Sequence, residues 1–166
     1  MKFRGNSFLI GIFSTLFLFN CTRKPNSSVV AISANQNTEI QDIPTISKEL
    51  ALDRLKNNCF SCHNPNSESH DEMLAPPLAG IKNKYKKHYP QEEEFIEQMS
   101  NFIDSPTEEK ALMRGPVKRF GLMPKTALSK SEIQELVKYI YNNDIETPEW
   151  FEEHYNEKHD KKWGEE

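Results

Sequence analysis

Three residues in the run Cys59-Phe60-Ser61-Cys62-His63 have the types and spacing for one covalent reaction. On a helical turn, residues three apart face the same way. Two thiols so placed reach two vinyl groups on one porphyrin edge, and the next residue sets an imidazole under the iron. This is the spacing of c-type haem attachment. Two other uses of a Cys-x-x-Cys pair fit less well. A thioredoxin-like redox pair needs a βαβ setting, and no strand-type alternation is present. A zinc site needs a second Cys or His pair at ligand spacing, and the chain has only one other cysteine, Cys21.

An iron held on one side by His63 needs a ligand on the other. Met123 lies between Gly121 and Pro124, where glycine permits an unusual turn and proline stiffens the chain, so a loop can hold its thioether at the metal. Met73, Met113, His70 and His88 are the rivals. With His63 and Met123 both bound, the iron is closed to small molecules, which points to electron transfer rather than substrate chemistry. A ligand histidine usually donates its other ring N–H to a carbonyl or carboxylate. Pro76 or Pro77, thirteen or fourteen residues on, can supply that carbonyl.

The elements that must position these groups read as helices. Ser47 caps a helix running to about Asn58, with Leu52 and Leu55 on one face, and the thiols follow at once. Residues 64–90 read as irregular chain rich in proline. Phe95, Ile96, Met99, Phe102 and Ile103 predict a helix over 91–104, with acidic residues in its first turn. Ser105-Pro106 opens a short helical stretch to about Arg114, broken by Gly115-Pro116. Phe120 to Pro124 is a loop. Ser129 and Glu132 predict a capping box for the last core helix, whose face is Ile133, Leu136, Val137, Ile140 and Tyr141. The expected fold is all-α, with three to five helices and long loops. Loops this long need something besides side chains to fill the core, and a haem does so.

Bulk properties agree. Of 166 residues, 36% are hydrophobic and 28% charged, and the mean hydropathy is −0.74. So lean a chain needs a staple such as a bound cofactor. The net charge of −4 lacks the basic excess that nucleic-acid binding requires. Residues 1–20 read as a signal peptide: Lys2 and Arg4 precede the apolar run Phe8–Phe19, which is too short to span a bilayer. Cys21 follows and is the expected lipidation site, although Asn20 stands where a small residue is usual. Residues 22–44 are polar and without periodicity, a tether of about 25 Å as a flexible coil. Multiple acyl chains at Cys21 would hold the domain on a membrane, on the periplasmic side; the alternative is a soluble periplasmic protein.

Taken together, the chain resembles the class I cytochrome c family over roughly 47–143. The resemblance rests on Cys59–His63, Ala75-Pro76-Pro77-Leu78-Ala79-Gly80, Gly121-Leu122-Met123-Pro124, and a last helix carrying Tyr139. It implies a cytochrome c domain over 45–143 with one covalent haem c and its iron. It also implies that the Pro76 carbonyl accepts from His63 and that Leu78 packs on the haem. Ala75 departs from the family glycine. The first and last helices are implied to cross, bringing Leu52 and Leu55 to Leu136, Tyr139 and Ile140. The function so implied is that of a membrane-tethered carrier of single electrons between a redox donor and acceptor, not an enzyme, with no small-molecule substrate at the iron. The alternatives are a subunit of a larger oxidoreductase, a haem peroxidase or a sensor. Residues 144–166 form a charged extension with Trp150, Phe151, Tyr155 and Trp163. Its aromatic residues either pack on the domain as a short helix or form a partner-docking surface. His154 and His159 read as solvated, with metal binding a minor alternative.

Overall fold

The computed structural model describes residues 43–159 and 162–164. The signal peptide, Cys21 and nearly all of the tether lie outside the described residues. Six α-helices and no strand occur among the described residues: α1 (Lys48–Asn58), α2 (Leu78–His88), α3 (Glu92–Asp104), α4 (Arg114–Phe120), α5 (Lys130–Asn142) and α6 (Phe151–Lys158). A 3-10 turn spans His70–Glu72. None of these helices is long and apolar enough to cross a membrane.

Local chemistry sets the helix ends. The Ser47 hydroxyl accepts from Leu50 N at 3.2 Å and starts α1. Ser129 and Glu132 form the expected capping box at α5, a motif whose loss typically costs about 1 kcal/mol. Three glutamates, Glu92 to Glu94, occupy the first turn of α3, where the helix dipole favours negative charge.

Helices α3 and α5 make the most extensive interface. Phe95, Ile96 and Met99 from α3 meet Ile133, Leu136, Val137 and Ile140 from α5 in one buried cluster. Helix α1 also rests on α5. Leu55 is buried in that cluster and Leu52 packs against it. Arg54 of α1 donates to Glu135 of α5 at 2.7 Å and lies 3.7 Å from Glu132. Ile43, at the end of the expected tether, is buried, and its carbonyl accepts from Lys138 Nζ at 2.6 Å. The folded part therefore begins before residue 45.

Two segments differ from the sequence reading. Residues 64–90 are not irregular throughout, because α2 occupies 78–88 and buries Leu78, Ala79 and Tyr85. Prolines 76 and 77 stand just ahead of this helix rather than inside it, so they launch it. The short helix expected over 106–114 does not form. Lys110 N donates to the Thr107 hydroxyl at 3.4 Å, a side-chain bond that competes with a helical one. The helix instead begins at Arg114 and contains Gly115-Pro116 in its first turn. Proline is harmless there because those N–H groups have no helical partner.

The extension packs on the domain. Phe151 is buried, and its ring lies so close to Gly80 that a Cβ at that position would be 3.2 Å from Phe151 Cζ. Trp163 meets Phe151 and Tyr155 edge-on, with ring centroids 4.8 and 4.9 Å apart. Trp150 Nε1 donates to the Ser67 carbonyl at 3.0 Å, and Ser67 Oγ in turn donates to Met73 Sδ at 2.9 Å. The extension thus fastens the long loop between α1 and α2. Replacing Trp150 with phenylalanine keeps the ring and removes the donor. Trp150→Phe should cost about 1 kcal/mol, read as a lower urea midpoint at unchanged slope. An unchanged midpoint would show that this bond does not hold the loop.

Candidate functional site

Turns after α1 carry the two thiols. His63 N and Cys62 N both donate to Cys59 O, at 2.9 and 3.1 Å. This tight wrap keeps Cys59, Cys62 and His63 on one side of the chain. They line a cavity of about 230 Å³, and Pro76, Leu78 and Met123 line the same cavity. The six residues singled out in the domain by sequence therefore meet in one place. Cys59 and Cys62 are not joined to each other. Pro76 is set by the start of α2, and Leu78 is the first residue of that helix. Met123 sits just after α4, past Gly121, whose φ of 84° is the left-handed conformation that favours glycine.

His63 is oriented by one bond. Its Nδ1 lies 2.6 Å from Pro76 O. The carbonyl can only accept, so Nδ1 carries the proton and Nε2 keeps a free lone pair. Burial holds the His63 pKa below the ordinary histidine value, with the Pro76 bond opposing. The ring is therefore a neutral imidazole, the form that binds metals. Burial, and then the neighbouring Cys62, push Cys59 up to about 11. Tyr85, also on the cavity wall, is pushed up to about 12 by burial and then by Tyr89.

The rest of the wall is mostly apolar. Helix α3 supplies Phe102 and Ile103, α4 supplies Val117 and Phe120, and α5 supplies Leu136 and Ile140. No carboxylate is among the lining residues. Val117 and Phe120 were not legible as site residues, because the segment that carries them reads as a break and a loop. The 3.6-residue stripe of α3 did single out Phe102 and Ile103, but only as core. Among the rival ligands, Met113 also lines this cavity, whereas Met73, His70 and His88 do not. Leu74 and Leu122, at its rim, are 66% and 41% exposed, so one edge of the site meets solvent. An apolar slot with two thiols, an oriented imidazole and thioethers along its wall fits a flat apolar group bearing a metal at its centre.

His70 and His154 lie elsewhere, in a second cavity beside α6. Their rings stack at 4.2 Å, and His70 Nε2 lies 2.9 Å from Arg119 Nη1. His159 is exposed, as expected, and stacks on Tyr155 at 4.1 Å. Among the described residues, no group of three or more His, Cys, Asp or Glu is placed to hold a metal ion.

Residues 53–144 match the family model for cytochrome c. A protein of Aquifex aeolicus (strain VF5), described only as uncharacterised, is 36% identical over 74 residues, which is 43% of this chain and 49% of that protein. The chain thus spans about half the length of this relative. No solved structure matches the chain.

Burial first, and then the charges of His70 and Lys158, hold the His154 pKa below the ordinary value of 6.5. A cation-forming group whose folded pKa is depressed takes up more protons unfolded, so its contribution turns against the fold as pH falls through 6.5. Titration of the His154 ring by NMR should give a midpoint below that value, and His70→Gln should raise it. A midpoint at or above 6.5 would show that burial and the neighbouring cations do not depress this ring.

Proposed function

The chain belongs to the cytochrome c family and carries covalently bound haem c with its iron, and from that premise we propose a membrane-tethered electron carrier in which His63 and Met123 would hold the iron. The observation that carries this reading is the meeting of Cys59, Cys62, His63 and Met123 on one cavity, with His63 Nδ1 committed to Pro76 O. When bound, the haem supplies a one-electron Fe(III)/Fe(II) couple.

The chain's own residues do the rest. Cys59 and Cys62 would hold the macrocycle by two thioether bonds, each thiol S–H adding across one vinyl group. Pro76 fixes the ring of His63, leaving Nε2 as the ligand atom and raising its basicity. Leu78, Phe102 and Ile140, apolar residues of the cavity wall, would exclude water from the group and favour its less charged reduced state. Met123 lends a soft thioether, which raises the potential relative to a second imidazole. Gly121 and Pro124 support the choice of Met123 over Met113, because they fix the loop that presents it. The exposed rim at Leu74 and Leu122 offers an apolar edge where donor and acceptor proteins can approach.

Outside the described residues, the apolar run Phe8–Phe19 followed by Cys21 supports cleavage and lipidation at Cys21, which would place the domain on the periplasmic side. Labelling with radioactive palmitate should then mark the wild-type protein and not Cys21→Ser; an unlabelled wild type would refute the lipid anchor.

Mass spectrometry of the native protein should show one haem on the peptide containing Cys59 and Cys62. The ferric protein should show the long-wavelength sulfur–iron charge-transfer band. Met123→Ala should abolish that band and let the reduced protein bind carbon monoxide rapidly, whereas Met113→Ala should leave the band in place. A haem-loaded wild-type protein without the band would overturn Met123 as ligand.

A further inference from the structure

Beside α6 lies the second cavity, of about 470 Å³, within the range of small-molecule sites. The chain as a whole is acidic, at −4, yet Lys84, Lys87, Arg119 and Lys158 all line this cavity, and among the described residues no Asp or Glu does. Its floor is apolar, built from Pro76, Pro77, Phe120 and Phe151. Lys87 donates to the Tyr155 hydroxyl at 3.2 Å and Arg119 lies against His70, yet four cations on one apolar cavity still make a positive field that attracts an anion. The pair formed by Arg119 with Asp71, at 3.5 Å, offsets little of this, because Asp71 is 94% exposed and screened by water. Asn83 lines the same cavity, and its shielded Oδ1 has no hydrogen-bond partner among the described residues.

We propose that this cavity binds a small organic anion, an aromatic or aliphatic body bearing a carboxylate or phosphate. The negative group sits among Arg119, Lys84 and Lys158, where charge-assisted hydrogen bonds are strongest. The body lies on Phe120 and Phe151. The extension creates the site, since Phe151, Lys158 and the stacked His154 all come from α6. The cavity also shares Pro76, Met113, Pro116 and Phe120 with the haem cavity as a common wall.

Calorimetric titration of the ferric, haem-loaded protein tests the site, with phenyl phosphate as probe. It should bind saturably at one site per chain, and at least tenfold more weakly in the variant Lys84→Gln/Arg119→Gln. Lys158→Gln, on the outer helix, should weaken it several-fold. Each variant should keep the haem absorption spectrum of the wild type. Benzyl alcohol, which lacks the charge, and inorganic phosphate, which lacks the body, should each bind at least tenfold more weakly than phenyl phosphate. Non-saturable binding of phenyl phosphate, or equal affinity in the double variant, would overturn the proposal. So would equal affinity for either control. The readout involves no axial ligand, so it stands or falls separately from the assignment of Met123.

Discussion

The bond between His63 Nδ1 and Pro76 O, 2.6 Å long and thirteen residues apart in sequence, is the constraint on which the other features depend. One end belongs to the turns that follow α1, the other to the start of α2. A histidine ring can rotate about two bonds, and a ligand that rotates cannot hold a metal at a fixed place. This bond removes that freedom and at once decides which nitrogen carries the proton. It also requires both anchors to be held. Helix α1 is held on α5 by Leu55 and by the Arg54–Glu135 pair. Pro76 is held by α2, whose Leu78 and Tyr85 enter the core, and by the loop that Trp150 fastens at Ser67. The C-terminal extension is therefore part of the support of His63, although it is far from it in sequence.

What was legible in the sequence was whatever local chemistry decides. The thiol spacing, the capping box at Ser129 and the stripe from Phe95 to Ile103 are local patterns, and the structure has the corresponding helices and turns. The order of the motifs pointed to an all-α domain, and the matched family bears that out. Helix α2 escaped because its exposed face is lysine and histidine, and because Pro76, Pro77 and Gly80 read together as punctuation. Its buried face, Leu78, Ile81 and Tyr85, was present at spacings of three and four but short. Helix α4 escaped for a related reason. Proline breaks a helix in its middle and starts one at its first turn, and only the packing of Val117 and Phe120 against the cavity decides which applies. The two readings of the extension could not be separated by sequence, because whether Phe151 meets Gly80 depends on a contact across some seventy residues.

The prolines have a further consequence. Pro76, Pro116 and Pro124 all line the haem cavity. Each fixes its own φ, so each reduces the freedom of the unfolded chain more than that of the folded one. Stiff walls would suit the proposed electron transfer, because every group that shifts between the two redox states adds to the barrier for exchange. A cavity walled by prolines and packed helices has few groups free to shift. The same stiffness lets an otherwise lean chain keep an apolar slot open to a flat cofactor instead of collapsing on it. Pro76 and Pro116 stand between this slot and the second, basic cavity. The two cavities therefore share a wall whose backbone the prolines stiffen.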